Sequence, residues 1–387
     1  MDVDAVVTEV ASAVGLAEGR SGVRDVMRAI ARSEPVATRE VSRLAELPIP
    51  LVTAVCNELR KRGVVDRGRP VRLTEAGRAA LSPPGGHREV SGCCPACAGR
   101  GVIIPDAVAA LVTELEQRSA GVPGARLELD QTHCTVPTKI RRVLYMHQAG
   151  AVDGKSILLL GDDDLTSAAL AAFCALPGRP ARIQRLTVLD TDAGLLGFLG
   201  GQLAGATFPV DLCQHDLRDP LPPGLHGQFD VVFTDPPYTV PGAELFLSRA
   251  VAALSSEPGQ HVFFSFGARR PDESLLTQEL MAQLGLAVRA LLPGFNEYLG
   301  AGVLGGTSNL FHLRSTAGSA PLITGRYDGP LYTADGRVIT RRYRCRGCAA
   351  VHLVGPGTSW PRIAALKAAG CPGCAGTVFR PMPLERR

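Results

Sequence analysis

Three consecutive carboxylates, Asp162, Asp163 and Asp164, follow Gly161 at the end of a short apolar run. The run, Ile157 to Leu160, is too short for a free helix and is typical of a buried parallel strand. Backbone N–H groups in a glycine-rich turn at such a strand end bind anions, whereas three Asp side chains repel them. We therefore predict that this turn binds a positively charged ligand.

A second group of reactive side chains lies in Asp235-Pro236-Pro237-Tyr238, directly after the strand-like run Phe229 to Thr234. The two prolines stiffen the loop, so we expect the Asp235 carboxylate and the Tyr238 ring to point into the crevice at the strand end. A carboxylate held there can accept the proton of an amino nitrogen that is about to be alkylated. A rigid turn without chemistry is the alternative interpretation.

Two further acids stand at predicted strand ends. Asp190 closes the run Arg185 to Leu189, and in a doubly wound fold this position contacts ribose hydroxyls. Asp216 follows a third run, Ala206 to Leu212, where such folds contact an adenine; solvated strand-end acids are the alternative. The predicted donor-binding residues are thus Gly161, Asp162, Asp164, Asp190, Asp216 and Pro236, and the predicted catalytic residues are Asp163, Asp235 and Tyr238.

The elements that must position these residues alternate between strands and helices. The first strand is followed by an apolar run of helical length, Leu165 to Leu176, and further strands are predicted at His261 to Ser265 and Ser308 to Leu313. This alternation predicts a Rossmann-like, doubly wound α/β sheet of the class I methyltransferase type over residues 128–320. Ligands of such sheets bind at the carboxyl ends of the strands, where the acids lie.

Residues 1–85 predict a winged helix-turn-helix. Apolar residues repeat at helical spacing from about Val23, a third helix covers Ile49 to Leu59, and Val64 to Leu73 has the pattern of a short hairpin. The third helix carries Arg60-Lys61-Arg62, which suits DNA binding, but its mostly apolar surface favours a scaffold for dimerisation or a lid.

Residues 86–127 are predicted to be a linker that contains one CxxC pair and an amphipathic helix from Val102 to Arg118. Cys94 and Cys97 supply half of a tetrahedral zinc site. The other zinc ligands are left open among four residues of this chain and a second protomer. That Cys94 and Cys97 are buried structural cysteines is an equal alternative. The four residues are His87, Cys93, His133 and Cys134.

Residues 337–387 carry two more CxxC pairs in a short segment with little apolar material of its own. Such paired knuckles predict a structural zinc ribbon. The predicted zinc ligands are Cys345, Cys348, Cys371 and Cys374.

Charge is unevenly distributed along the 387 residues, which are enough for two or three domains. Residues 151–240 contain eleven Asp, no Glu and five Lys or Arg, whereas residues 337–387 contain ten Lys or Arg and one acid. The middle therefore suits a cationic ligand and the basic tail an anionic surface, in nucleic acid or peptide. We find neither a run of roughly 20 apolar residues nor a signal-peptide pattern, and we expect a soluble, cytoplasmic protein.

Five motifs carry a resemblance to known proteins: Leu129-Asp130-Gln131, Arg142-Val143, Gly161 to Ser167, Asp235 to Thr239, and Phe295 to Tyr298 with Gly300-Ala301. Together they resemble one family, the branched-chain polyamine synthases (N4-bis(aminopropyl)spermidine synthases). The resemblance implies transfer of aminopropyl groups from decarboxylated S-adenosylmethionine to a secondary nitrogen of a polyamine, catalysis by the triple-Asp turn through Asp163, and a homodimer. It also implies an acceptor site at Asp130, Gln131, Asn296 and Tyr298. The basic ribbon and Thr135 to Thr138 depart from the family pattern.

The charge of the triple-Asp turn distinguishes between S-adenosylmethionine and its decarboxylated form as the donor. S-adenosylmethionine has a carboxylate, which three acids would repel, while its decarboxylated form has only an ammonium and a sulfonium group. A methyltransferase acting on amino groups of nucleic acid shares the Asp-Pro-Pro-Tyr loop and is the main alternative. Aminopropyl transfer to a peptide or natural product is another, and a non-enzymatic DNA-binding regulator that senses nucleotide or polyamine is a third.

Overall fold

The computed structural model describes residues 2–81, 94–97, 99–177, 183–268, 270–300, 306–333, 341–354, 358–360 and 363–382. The chain divides into two compact units, Met1–Gly329 and Pro330–Arg387. Residues 1–85, predicted as a domain, belong to the larger unit. Within these ranges no helix has the length and apolar composition to cross a bilayer.

A seven-stranded sheet is the centre of the larger unit and confirms the predicted α/β fold of the methyltransferase type. The strand order is β3-β2-β1-β4-β5-β7-β6, with β1 to β5 parallel and β7 antiparallel to both of its neighbours. The chain order reverses between β1 and β4, and ligands of such sheets bind at that point. The strands are β1 (Ser156–Leu160), β2 (Arg185–Asp190), β3 (Val210–Gln214), β4 (Val231–Thr234), β5 (His261–Phe266), β6 (Leu286–Glu297) and β7 (Thr307–Ser315).

Two strands differ from the sequence prediction. β3 begins at Val210 rather than at Ala206, because Pro209 has no N–H to donate to the ladder that β3 forms with β2. β6 is a strand of twelve residues that the sequence pattern did not reveal. Register shifts opposite β7 interrupt the alternation of side chains between the two faces of the sheet. The hydrophobic period of two residues is therefore lost along β6. This unpredicted strand carries Asn296 at its end.

Helices cover both faces of the sheet and bury two apolar cores, one containing Ile157 and Leu159 and the other Leu158 and Leu160. Alternate residues of β1 thus point to opposite faces, which explains its uninterrupted apolar run. The helices of this part are α6 (Ala110–Ser119), α7 (Val136–Gln148), α8 (Thr166–Cys174), α9 (Ala193–Leu203), α10 (Val240–Ala253) and α11 (Pro271–Gln283).

Five helices form the amino-terminal part, with a separate apolar core. The first was not predicted; it buries Val7 and Val10. Bridges join Val36 to Val71 and Val65 to Leu73, where the sequence predicted a hairpin. The assignment as a winged helix remains a prediction. The helices are α1 (Val3–Val14), α2 (Gly19–Ser33), α3 (Thr38–Leu44), α4 (Ile49–Lys61) and α5 (Glu75–Leu81).

The helix predicted from Val102 to Arg118 is shorter than expected. A 3₁₀ turn covers Asp106–Val108, and α6 begins only at Ala110. Pro105 precedes the turn, and the residue before a proline is disfavoured in helical conformation. Residues 102–105 are therefore outside any helix, and the prediction of its start was wrong.

In its described residues, the smaller unit is a three-stranded sheet with one helix. The strands are β8 (Arg341–Cys345), β9 (Val351–Val354) and β10 (Phe379–Pro381), in the order β10-β8-β9, and the helix is α12 (Ile363–Ala369). Its core is small and includes Val354, Leu366 and Phe379.

Candidate active site

Asp162 shapes the turn that follows β1. Its carboxylate accepts N–H groups of Thr166 (2.7 Å) and Ser167 (3.2 Å) and the Ser167 hydroxyl, and so caps the first turn of α8. Gly161 turns the chain with φ +78°, a conformation that favours glycine. Burial raises the pKa of Asp162 to about 7, although the hydrogen bonds from Ser167 and Thr166 oppose the rise.

Asp190 ties the end of β2 to this turn. Its carboxylate accepts the N–H of Asp162 at 3.2 Å and that of Asp192 at 2.9 Å, and burial raises its pKa. Asp216 lies on an exposed loop beyond β3 and accepts the Arg218 N–H at 2.9 Å. Both acids stand at the carboxyl edge of the sheet, as predicted; their contacts with a nucleotide stay predictions.

Arg142, on α7, is the cation at the centre of the site and is 0% exposed. Its Nη1 lies 2.6 Å from Asp164 Oδ2, its Nη2 lies 2.7 Å from Asp235 Oδ2, and its Nε donates to Asn296 Oδ1 at 2.8 Å. One guanidinium therefore joins the ends of β1, β4 and β6. Burial opposes its charge, but the surrounding anions, first Asp164, hold the pKa of Arg142 well above its usual range.

Two tyrosine hydroxyls surround the Asp235 carboxylate. The Tyr298 hydroxyl donates to Oδ2 at 2.6 Å and the Tyr238 hydroxyl to Oδ1 at 3.0 Å, while the two hydroxyls lie 2.7 Å apart. Ser308 Oγ lies 2.9 Å from the Tyr298 hydroxyl. Burial raises the pKa of both tyrosines well above the usual value, so they stay neutral hydrogen-bond donors.

The loop that carries Asp235 is rigid for reasons beyond its prolines. The Thr239 hydroxyl accepts the Gly242 N–H at 2.9 Å and so begins α10. A Cβ at Gly242 would lie 2.5 Å from the Pro237 carbonyl oxygen, so only glycine allows this close approach of helix and loop. Pro236 is buried. The predicted rigid presentation of Asp235 and Tyr238 therefore agrees with the local geometry.

The remaining acids differ in charge state. Burial raises the pKa of Asp164, but Arg142 and then Lys139 outweigh it, and the net effect is a lowered pKa. Burial raises the pKa of Asp235 to about 6, with Arg142 acting against the rise and Asp164 adding to it. Asp164 is thus the acid held ionised by the two buried cations.

Asp163 differs from its neighbours because it is half-buried and its backbone oxygen, not its carboxylate, is engaged: His133 Nδ1 donates to that oxygen at 2.7 Å. Among the described residues, no hydrogen bond or ion pair holds the Asp163 carboxylate. Burial and then repulsion from Asp164 and Asp235 raise its pKa well above the usual value. Among these acids, Asp163 is therefore the one whose charged form a bound cation would stabilise most.

The loop before α7 brings the Asp-Gln pair towards the same turn. Asp130 adopts a left-handed φ of +56°, and the Gln131 side-chain oxygen accepts the Arg126 N–H at 3.1 Å. Two residues later, His133 contacts Asp163, and the Cys134 N–H donates to Asp164. Asp130 and Gln131 thus lie on a segment anchored to the triple-Asp turn, and their contact with an acceptor stays a prediction.

Asn296 is fully buried rather than open to a ligand. Its Nδ2 donates to Ser308 Oγ at 2.9 Å and Ser265 Oγ at 3.1 Å, while its Oδ1 receives Arg142. The structure thus places Asn296 behind the site, where it orients Arg142. Of the predicted acceptor residues, Tyr298 is the one in direct contact with Asp235.

Glu297, between these two residues, faces three arginines. Its carboxylate lies 2.7 Å from Arg100, 3.3 Å from Arg43 on α3 and 4.0 Å from Arg141 on α7. The amino-terminal helices are therefore linked by an ion pair to the strand end that holds Asn296 and Tyr298.

Sequence reasoning missed the roles of Arg142, Lys139 and Glu297. In the sequence, Arg142 stands out only as part of a family motif. A signal for it existed, because Lys139 and Arg142 are three residues apart and lie on the buried face of α7. Two cations on such a face require buried anions, but the pattern does not say which.

The proposed partners of Cys94 and Cys97 are not brought to them. His133 binds the carbonyl oxygens of Asp163 and Pro123, and Cys134 is buried beside Asp164. In the described part of the chain, the one group of three or more potential metal ligands is in the smaller unit. The two alternatives in which His133 or Cys134 completes a zinc site with Cys94 and Cys97 are therefore wrong; His87 and Cys93 lie outside the described residues.

The group of potential metal ligands in the smaller unit consists of the four cysteines predicted to bind zinc. The sulfurs of Cys345, Cys348, Cys371 and Cys374 all lie within 4.8 Å of one another. Four thiolates at the usual Zn–S distance are separated by about 3.8 Å in a tetrahedron. The donor set and its spacing therefore fit a structural zinc ion. His352 Nε2 lies 3.2 Å from the Cys371 sulfur, where it can orient that ligand.

Comparison with known proteins gives consistent results. Residues 112–312 match the family model described as the branched-chain polyamine synthase A C-terminal domain. The chain is 33% identical to the N(4)-bis(aminopropyl)spermidine synthase of Thermococcus kodakarensis, over 72% of this chain and 78% of that protein. It is 31% identical to an uncharacterized Methanocaldococcus jannaschii protein, over 89% of this chain and 86% of that one.

A solved structure extends the similarity. The chain resembles a mutein of the Thermus thermophilus branched-chain polyamine synthase in complex with N4-aminopropylspermidine and 5'-methylthioadenosine. The TM-score is 0.68 at 26% identity, covering 86% of this chain and 97% of that one.

Proposed function

The chain belongs to the branched-chain polyamine synthase family, and we propose that it transfers the aminopropyl group of decarboxylated S-adenosylmethionine to an amine nitrogen of a polyamine. The observation that carries this proposal is the unpaired Asp163 carboxylate, surrounded by other acids at the end of β1.

The site's charge favours the decarboxylated donor. Asp162, Asp163, Asp164, Asp190 and Asp235 are five acids, against the two buried cations Lys139 and Arg142. The three excess carboxylates attract the ammonium and sulfonium groups and repel the carboxylate of S-adenosylmethionine. A bound cation also lowers the raised pKa of these acids and restores their charge.

Asp163 is proposed as the proton acceptor. A polyamine nitrogen is protonated at neutral pH and must lose a proton before it attacks. A carboxylate with a raised pKa, half-exposed and free of other donors, can take that proton directly or through a water molecule. The nitrogen then forms a bond to the carbon next to sulfur as the carbon–sulfur bond breaks. The electron pair leaves with 5'-methylthioadenosine, the molecule bound in the related Thermus thermophilus structure.

Asp235 and Tyr238 are proposed to orient the attacking nitrogen. Three donors already serve the Asp235 carboxylate: Arg142, Tyr298 and Tyr238. This makes Asp235 a weaker base than Asp163 but a well-fixed acceptor for one N–H of the substrate, which aims the nitrogen lone pair at the reacting carbon.

The remaining contacts complete the proposal. Gly161 and Pro236 shape the walls of the donor site, Asp190 and Asp216 hold the adenosine, and Asp130, Gln131 and Tyr298 face the acceptor with support from Asn296. Further parts of the proposal are one structural zinc ion in the ribbon, a homodimer and a cytoplasmic location.

The test is a comparison of donors. The protein is incubated with decarboxylated S-adenosylmethionine or S-adenosylmethionine and a panel of linear polyamines, and product masses are measured. We expect products that carry one or two added aminopropyl groups with the first donor and no product with the second. Methylated products would support the methyltransferase alternative, and aminopropylation of a peptide but of no polyamine would move the acceptor to that class.

A further inference from the structure

The connection between β3 and β4 is a loop where a helix is usual. All of residues 215–230 are described, and they form one 3₁₀ turn, Pro223–Leu225, and no α-helix. A helix between parallel strands satisfies its own carbonyl groups, whereas a loop must find donors elsewhere. The loop begins at the carboxyl edge of the sheet, where the His215 N–H donates to the Asp190 carbonyl at 2.9 Å. Asp216, the proposed adenosine contact, is the next residue, so the order of this loop bears on the donor site.

Arg249, on α10, supplies donors to this loop. Its side chain is buried, with 1% of the residue exposed. Nε donates to the Leu217 carbonyl at 3.0 Å, and Nη2 donates to the Arg218 carbonyl at 3.3 Å. These carbonyls belong to the two residues directly after Asp216. Because the donors of a guanidinium are fixed in one plane, Arg249 holds both carbonyls in one relative orientation.

The same guanidinium binds the segment that follows β7. Nη1 donates to the Ile323 carbonyl at 2.8 Å, and Nη2 donates to the Gly325 carbonyl at 2.7 Å. The Ile323 N–H in turn donates to Ser248 Oγ, also on α10, at 3.2 Å. A buried charge is costly unless it is hydrogen-bonded, and four carbonyl oxygens from two segments meet this need. Arg249 therefore fastens the loop and the segment to one helix.

The segment holds the loop a second time. The Tyr327 N–H donates to the Arg218 carbonyl at 2.7 Å, and Arg326 is ion-paired with Asp219. Within the loop, the Asp219 N–H donates to the Asp216 carbonyl at 2.9 Å, and the Arg218 N–H donates to the Asp216 carboxylate at 2.9 Å. A shift of the two residues after Asp216 would therefore move its carboxylate.

From these contacts we propose that Arg249 is a positioning residue for the donor. It fixes the loop at Leu217 and Arg218 and so keeps the Asp216 carboxylate where it accepts a hydrogen bond from the adenine amino group. Arg249 acts through the loop and not through contact with the donor. The inference rests on the proposed function and deepens it, because it assigns the order of the adenosine site to one buried side chain.

The test is a double-mutant cycle on the full chain, read by isothermal titration calorimetry with 5'-methylthioadenosine, which contains the adenosine group and carries no charge. Arg249→Lys keeps the charge, but one ammonium group cannot reach all four carbonyls. It should weaken binding about tenfold, the order expected when a hydrogen bond to a charged group is lost. In an Asp216→Asn background the same change should weaken binding less than about twofold, because the contact that Arg249 positions is already lost.

Steady-state kinetics give a second readout. Arg249→Lys should raise KM for decarboxylated S-adenosylmethionine about tenfold. KM for the polyamine, and kcat at saturating donor, should stay within about twofold of the parent values. A merely structural role would instead lower the active fraction of the protein, and therefore kcat, without changing KM for the donor.

A surface variant keeps the test decisive should Arg249→Lys fail to fold. Arg326→Gln removes the exposed ion pair with Asp219 and should weaken 5'-methylthioadenosine binding about twofold to threefold. Arg78→Gln is the matched control, because it removes a surface ion pair with Glu34 from α5, and it should leave binding unchanged.

Equal losses from Arg249→Lys in the parent and in the Asp216→Asn background would overturn the inference. Normal affinity of Arg249→Lys, or of Arg326→Gln where the former does not fold, would overturn it as well. In each case, formation of an aminopropylated polyamine by the parent leaves the proposed function intact. A parent that neither binds 5'-methylthioadenosine nor forms that product would overturn both.

Discussion

Arg142 Nη2 lies 2.7 Å from Asp235 Oδ2, so the acid that follows β4 is paired with a buried cation in the free protein. The same guanidinium also holds Asp164, through Nη1. The acids of the site are therefore of two kinds. Asp164 and Asp235 are neutralised by the protein itself, whereas Asp163 is left for the substrate.

Loss of Arg142 should strongly destabilise the protein. Arg142→Met removes the guanidinium that is ion-paired with the buried carboxylates of Asp164 and Asp235, and removing one member of a buried ion pair costs about 3–5 kcal/mol. Arg142→Lys keeps the charge but not the forked geometry that reaches both acids, so it should lose less. Urea unfolding of the full chain measures both effects. A Met variant as stable as the parent would mean that the two carboxylates are protonated or solvated.

Selectivity between donors should depend on Asp163. Isothermal titration calorimetry should show decarboxylated S-adenosylmethionine binding well over tenfold more tightly than S-adenosylmethionine, because a single close charge pair can contribute more than 1.4 kcal/mol. Asp163→Asn should narrow this gap, while Asp272→Asn, which removes an exposed acid from α11, should not. Equal affinities in the parent protein would contradict the proposed donor.

Asp235 should affect the rate more than donor binding. Asp235→Asn keeps the shape of the side chain but removes its charge, and turnover should fall by about a hundredfold or more. Donor affinity should change little, since the proposed adenosine contacts are Asp190 and Asp216. Asp163→Asn should change both quantities. Steady-state kinetics with a polyamine acceptor distinguish the roles of Asp163 and Asp235. Near-normal turnover of Asp235→Asn would mean that the loop carrying Asp235 is only a structural turn.

Stability should fall as pH falls below 6.5 because of a buried histidine pair. His261 Nδ1 lies 3.0 Å from His312 Nε2, and burial lowers the pKa of His261 from 6.5 to about 3 and that of His312 to about 4. The unfolded chain therefore binds protons first. The stability that the two neutral histidines contribute is complete above pH 6.5. It is lost as pH falls through 4 and towards 3, the pKa values in the folded protein.

A double variant isolates the contribution of the histidine pair from that of the carboxylates with raised pKa values, which stabilise the folded protein as pH falls. His261→Gln/His312→Gln should flatten the dependence of the unfolding free energy on pH between 6.5 and 4. His226→Gln, outside the pair, should not. Denaturant unfolding at several pH values measures this, and identical slopes in the parent and double variant would refute it.

The ribbon should bind one zinc ion per chain. Elemental analysis of the full chain should find one equivalent, and Cys348→Ser should reduce it because a structural site needs all four thiolates. Cys213→Ser, which removes a cysteine of β3 outside the ligand set, is the matched control. Full zinc content in Cys348→Ser would show that the metal is held elsewhere.

The sequence by itself determined the features that depend on neighbouring residues. The apolar run of β1, the three acids that follow it, the prolines beside Asp235 and the spacing of the cysteine pairs are all local patterns. Each has a local physical cause: burial of a strand on both faces, charge density in a turn, restricted backbone rotation, or the reach of two thiolates to one metal. The parallel sheet, the acidic site and the set of four cysteines were predictable for this reason.

Only the tertiary structure decided how these parts are paired. Arg142 is 93 residues from Asp235 and 154 from Asn296 along the chain, and their contact depends on the order of β1, β4 and β6 in the sheet. Ion pairing between distant elements leaves no periodic pattern in the sequence, because a buried charge requires a partner but does not specify which one. The same reason applies to Glu297 and Arg43: the carboxylate and the guanidinium meet only because the amino-terminal helices pack beside the end of β6.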